Sequence, residues 1–291
     1  MYKLGLVLLS LAAILPAAEV AKGITSKNII GPVTFPSAAL GQQRAFNILL
    51  PVDYETSTLR YPVLYLLHGY GDDQSAWSYM TNLSAFGAKH RVIVVMPDAS
   101  KSWYVNAAQD PKARFEDYIV KDLVPYVDSH FRTLPLPRAR AIAGLSMGGY
   151  GAMFLGLDNY KKFTAIGSFS GALDFSQNPV NRGKTPEERD ATDREWRRIF
   201  GDKGSADRTA RDPFALVDKV PLPDMPLLFI TCGGEDFLIE GNRKFVALLA
   251  SKRVPYEYRE ISPREHTWDF WDDSLRVFLD MLDRRVGFSA D

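Results

Sequence analysis

The chain holds one cysteine, Cys232, and four histidines among 291 residues. A single thiol excludes an intramolecular disulfide framework. Formal charge of one sign is not in excess either: 35 Lys and Arg balance 35 Asp and Glu. That balance, with no basic stripe and no charged tail, argues against a nucleic-acid partner. No cluster of His, Cys and carboxylates has metal-ligand spacing, and no Gly-x-Gly-x-x-Gly follows a strand. Neither a metal nor a cofactor is therefore expected. Internal repeats and low-complexity tracts are absent from the sequence.

Long hydrophobic runs are also scarce, and the exception lies at the N-terminus. Lys3 precedes an uncharged apolar run over 4–15, and small residues follow at Ala17 and Ala18. A basic start, a short apolar core and small residues at the cut read as a secretory signal peptide. The run is short for a bilayer span, and no Cys follows it to carry a lipid. The expectation is a leader over 1–18, a single domain over 19–291, and a protein exported to the periplasm or secreted. No stable membrane insertion is expected after cleavage.

Beyond the leader, short apolar runs alternate with helical spacing. Segments 29–35 and 44–50 read as two strands of a hairpin turning through 37–41. Runs at 63–67, 92–96, 139–143, 164–169, 227–231 and 256–261 read as further strands. Helical spacing covers 115–127, with a kink expected at Pro125. It returns after the last strand, where Trp268, Trp271, Leu275, Phe278 and Leu282 share one face and Gly287 ends the helix. Strands apolar on both faces, alternating with helices, predict an α/β fold: a mostly parallel sheet covered on both sides, with an antiparallel N-terminal edge hairpin. Segment 174–224 breaks the rhythm, being rich in charge and without a strong strand. Thr185-Pro186-Glu187-Glu188 carries the N-cap, first-turn proline and capping-box glutamate of a helix that Gly201 closes. This small helical insertion is either a cap over the active site or a peripheral crossover.

The chemistry centres on Gly144-Leu145-Ser146-Met147-Gly148, a Gly-x-Ser-x-Gly motif with a strand before it and a helix after it. Such a turn lifts a serine above the sheet edge, where a base can reach its hydroxyl. A serine hydroxyl is a poor nucleophile at neutral pH, so it needs a base and an orienting carboxylate. The chain order serine, acid, histidine admits only His266 as base. His68 precedes the serine, His90 reads as a solvated loop residue, and His130 reads as a helix-end residue. The acid is sought after the 227–231 strand, in Gly233-Gly234-Glu235-Asp236. Asp236 is preferred because a shorter side chain holds an imidazole more firmly. Glu235 is its neighbour and competitor, and Asp174 a third candidate. An oxyanion hole needs two N–H donors, expected at Met147 and, from the loop 68–73, at Tyr70, with Gly71 as runner-up. Trp77 and Trp103 fall on the same edge, as pocket walls or as core. Cys232, ending an apolar strand, reads as a buried core residue rather than a rival nucleophile.

At these residues the chain resembles the esterase D-like family of α/β-hydrolases, which includes S-formylglutathione hydrolases, feruloyl esterases and antigen 85 mycolyltransferases. The resemblance covers about residues 44–284. It rests on Leu67-His68-Gly69-Tyr70-Gly71 with Trp77, on Gly144-Leu145-Ser146-Met147-Gly148-Gly149-Tyr150-Gly151, on Gly233-Gly234-Glu235-Asp236 and on His266-Thr267-Trp268-Asp269-Phe270-Trp271. It implies Ser146 as nucleophile, Asp236 as acid, His266 as base, and oxyanion donors at Tyr70 and Met147. The expected activity is hydrolysis of a small-molecule carboxylic ester through an acyl-enzyme. Acyl transfer with the same triad, feruloyl or acetyl ester cleavage on plant polysaccharide, and thioester hydrolysis are the alternatives within the class. A catalytically silent binding protein is the alternative outside it.

Overall fold

The computed structural model describes residues 28–179, 183–285 and 288. The expected leader at 1–18 and the helix-ending Gly287 lie outside the described residues.

The apolar runs form β1 (Ile29–Ser37), β2 (Gln42–Leu49), β3 (Val63–Leu67), β4 (Ile93–Pro97), β5 (Arg140–Leu145), β6 (Ala165–Phe169), β7 (Leu227–Gly233) and β8 (Tyr256–Ile261). They make one eight-stranded sheet in the order β1-β2-β4-β3-β5-β6-β7-β8. Strands β3 to β8 run parallel, and the β1–β2 hairpin closes one edge antiparallel. This is the expected α/β architecture. Every residue of β3 to β6 is buried because helices cover both faces. Alternation then divides the core: Val63, Tyr65 and Leu67 join one hydrophobic cluster, Leu64 and Leu66 the other.

On the Leu64 face lie α1 (Ala76–Met80), α2 (Leu83–His90) and the last helix, α10 (Trp268–Arg285). The apolar stripe of α10 is the expected one: Trp271, Leu275, Phe278 and Leu282 are buried, and half-buried Trp268 meets Trp77 edge to face at 5.4 Å. Packing of α2 against α10 corrects the expectation for His90. It ends α2, buried, with Nδ1 2.6 Å from the Asp283 carboxylate. A partner 193 positions away left no local signal.

The opposite face holds α3 (Phe115–Asp117), α4 (Val124–His130), α5 (Met147–Asp158), α6 (Pro186–Phe200) and α9 (Ile239–Ser251). Between α3 and α4 the helix widens into a π turn at Tyr118–Leu123, where the Val124 N–H reaches the Ile119 carbonyl. Pro125 falls in the first turn of α4. The helical run from Phe115 to His130 continues through the wider turn without a break at Pro125. The 174–224 segment folds as α6, α7 (Ala206–Ala210) and α8 (Pro213–Leu216). Both halves of the Thr185/Glu188 capping box form, and Gly201 closes α6 in a positive-φ conformation.

The chain leaves β3 toward β4 on one side, then returns to β5 on the other side of β3. The loops after β3 and β5 therefore diverge at a topological switch point, where open parallel sheets place their ligands.

Candidate active site

Ser146 stands between β5 and α5 with φ 53° and ψ −115°. That conformation is costly for a residue with a Cβ and persists only where the surroundings hold it. Here they do: the Ser146 N–H donates to the Phe169 carbonyl, and the Ser146 carbonyl accepts from Ala172 and Tyr150. The glycine at 148 has a steric cause. A Cβ there would lie 2.6 Å from the His68 carbonyl oxygen, so α5 could not approach the end of β3.

Asp236 and His266 come from the loops after β7 and β8, beyond the loop after β6 on the same edge. Those loops are laced together, with Gly234 donating to the Ile261 carbonyl and Glu235 to the Arg264 carbonyl, both at 3.0 Å. His266 Nδ1 lies 2.8 Å from Asp236 Oδ2, and its Nε2 lies 3.1 Å from Ser146 Oγ. Burial pushes the Asp236 carboxyl up, but the hydrogen bond and charge of His266 outweigh it and hold the group below the usual carboxylate range. The Leu238 N–H adds a bond to Oδ1 at 2.9 Å. An ionised carboxylate accepts only, so Nδ1 carries the proton toward Asp236 and Nε2 is left to accept from the serine hydroxyl. The structure thus brings together the three residues expected from motif and chain order.

The competitors fall elsewhere. Glu235 is exposed while Asp236 is buried, since adjacent side chains leave the turn in different directions. Asp174 packs against Gly241 in α9. Cys232 is buried within β7, and burial pushes its thiol well above the ordinary range, so it is inert as a nucleophile. His130 ends α4, stacked on Tyr126 at 3.9 Å.

Met147 opens α5, where first-turn N–H groups have no intrahelical acceptor. Tyr70 follows Gly69, whose backbone lies against the serine; a Cβ on Gly69 would sit 3.7 Å from that of Ser146. Tyr70 is 55% exposed and forms one lip of a cavity of about 680 Å³ that opens onto Ser146. Trp103, Phe175, Trp196 and Phe237 supply its other aromatic walls. Trp103 is thus a wall residue. Trp77 is not: it is buried beneath the edge, donating from Nε1 to the Leu67 carbonyl at 3.0 Å and packing on Phe169 and Trp268. The pull of two aromatic partners from the Leu64 face turns it inward.

Sequence reasoning missed Phe175, Trp196 and Phe237. Phe237 adjoins the acid and packs at a tilt against His266, ring centroids 4.7 Å apart. Trp196 lies on α6, whose Glu188, Ala191, Thr192, Glu195, Trp196 and Ile199 face the cavity at helical spacing. The insertion is therefore a pocket wall, not a peripheral crossover.

The sheet order, the strained serine turn and the serine–histidine–aspartate line define an α/β-hydrolase of the serine hydrolase class. Within that class the chain belongs to the Esterase family, described as Putative esterase, which it matches over residues 37–280. It is 29% identical over 252 residues to an acetyl esterase of Caldicellulosiruptor saccharolyticus, covering 82% of this chain and 92% of the relative. Among solved structures it resembles FphF, a fluorophosphonate-binding serine hydrolase of Staphylococcus aureus, with TM-score 0.74 and 26% identity, covering 86% of this chain and 96% of that one. It also resembles a ferulic acid esterase, with TM-score 0.72 and 25% identity, covering 87% of this chain and 97% of that one. The chain is a carboxylic ester hydrolase.

Proposed function

We propose that the chain is a serine carboxylesterase acting through an acyl-enzyme. Ser146 Oγ attacks the ester carbonyl as His266 Nε2 takes its proton. The tetrahedral oxyanion is held by the N–H groups of Tyr70 and Met147. Collapse expels the alcohol, which receives the proton from His266. Water then attacks the acyl-serine by the same path, returning the free acid. Asp236 holds the imidazole in the required tautomer and offsets the charge of the imidazolium. The observation that carries this reading is the continuous line Asp236–His266–Ser146, at 2.8 and 3.1 Å, opening into the aromatic cavity.

The cavity also favours a substrate class. A space of about 680 Å³ walled by Tyr70, Trp103, Phe175, Trp196 and Phe237 is large for an acetyl group alone. Aromatic faces stack on flat rings, so esters carrying an aryl or bulky apolar group are the preferred substrates. Similarity to a ferulic acid esterase supports the same choice.

Ser146→Ala tests the mechanism. Turnover of p-nitrophenyl butyrate should fall by about 10⁵-fold or more, with the circular dichroism spectrum unchanged. Wild-type rates in this variant would refute the assignment.

A further inference from the structure

The loop after β3 is held by side chains in a pattern that the mechanism has not used. Three successive carbonyls, of Leu67, His68 and Gly69, each accept a hydrogen bond from a buried aromatic side chain. Trp77 Nε1 donates to Leu67 at 3.0 Å, Tyr104 Oη donates to His68 at 2.9 Å, and His68 Nδ1 donates to Gly69 at 2.8 Å. Tyr104 reaches this position because Gly151 on α5 leaves room for its ring; a Cβ there would lie 2.7 Å from Tyr104 Cγ. The serine helix and the loop are thus fitted to each other through glycine.

The bonding of His68 fixes its chemical form. A carbonyl oxygen only accepts, so Nδ1 bears the proton. On the other side the Ala99 N–H points at Nε2 at 3.0 Å, and an N–H only donates, so Nε2 is the bare nitrogen. Burial pushes the imidazole below the ordinary histidine range, which keeps it neutral. The Asp98 carboxylate, 3.9 Å from Nε2, is beyond hydrogen-bond reach.

One of the three carbonyls shares a peptide with a proposed oxyanion donor. The Gly69–Tyr70 bond is not among the cis peptides. In a planar trans peptide the C=O and N–H point in opposite directions. Holding the Gly69 oxygen therefore aims the Tyr70 N–H. The Asp72 N–H also reaches that oxygen, at 3.3 Å, but from within the loop it orients. His68 is anchored outside the loop, through Ala99, two residues beyond β4.

We propose that His68, as the neutral Nδ1–H tautomer, is a positioning residue that sets the Gly69–Tyr70 peptide plane and so orients the oxyanion-stabilising N–H of Tyr70. This rests on the serine esterase reading above. It goes beyond it by giving a role to a histidine that neither takes nor gives a proton in the reaction.

Two substitutions isolate the claim. His68→Leu and His68→Asn both remove the acceptor for Ala99 and share that structural loss. Only asparagine restores a donor near the place of Nδ1. For His68→Leu, kcat on p-nitrophenyl butyrate should fall about 10²-fold, the scale of one lost oxyanion donor, with KM changed less than about threefold. His68→Asn should recover about tenfold of that loss. Equal kcat in the two variants, or an effect confined to KM, overturns the proposal. If His68→Leu does not fold, nitrogen-15 NMR of the wild-type histidines decides, with the His68 resonance assigned by its loss in His68→Asn. A proton on Nδ1 and a bare Nε2 at neutral pH support the proposal, and the opposite tautomer overturns it. Activity retained in Ser146→Ala would instead remove the esterase reading beneath it, so the two failures are distinguishable.

Discussion

The edge that carries the reacting groups and the wall that faces them are built by different means. Ser146, Asp236 and His266 sit on turns that directly end or follow β5, β7 and β8. Backbone hydrogen bonds lace those turns together, and the acid is buried. Helix α6 is a charged helix tied to the body by one end of one face, with only Trp196, Ile199 and Phe200 buried. Its first turn is held by its own capping box. The edge is placed by the whole sheet, whereas the wall is held at its C-terminal end by aromatic packing, by the Ala108 and Gln109 N–H groups donating to the Ile199 and Arg198 carbonyls, and by the Arg198–Asp110 ion pair. On the proposed reading, chemistry is set by the shared architecture and substrate choice by the insertion, a division that permits specificity to change without loss of the reaction.

Two substitutions sharpen this comparison, one in each region. Asp236→Asn leaves the size of the side chain unchanged but, with the Leu238 N–H holding the amide oxygen, turns an NH2 donor toward His266 Nδ1 and so selects the wrong tautomer. A loss of about 10⁴-fold in kcat is expected, equal for acetyl, butyryl and aryl esters. A loss that depended on the acyl group would place Asp236 in substrate binding instead. Trp196→Ala should act the other way. It removes a wall that packs at a tilt on Trp103 at 5.0 Å and stacks on Phe200 at 5.0 Å. Specificity constants for aryl esters should fall by about 10- to 100-fold, while those for p-nitrophenyl acetate change by less than about threefold. A uniform loss across a graded ester panel would show that α6 supports the catalytic edge and would break the division.

The two regions also differed in how far they could be read from the chain alone. The edge was legible because its signals are local and ordered. A Gly-x-Ser-x-Gly turn between strand and helix, a carboxylate after the next long strand and a histidine after the last each announce themselves within a few residues. The start of α6 was legible for the same reason, since Thr185, Pro186 and Glu188 form a self-contained cap. The face it turns to the cavity was not, because Trp196 is oriented by Trp103 and Phe175, which lie in other loops. His90 was misplaced, and Trp77 left open between wall and core, on similar grounds: their partners, Asp283 and Trp268, belong to α10, far along the chain. His68 stood in plain view beside Gly69. Its bond to Ala99, 31 positions on, becomes visible only once β3 and β4 lie side by side.

The proposed passage of ester cleavage through an acyl group on Ser146 is open to direct observation. The enzyme is mixed with p-nitrophenyl butyrate, quenched in acid during turnover, digested and analysed by mass spectrometry. Butyryl mass is expected on the peptide containing Ser146, and none there in Ser146→Ala. Steady turnover with that peptide unmodified, or with the acyl group on another residue, would contradict it.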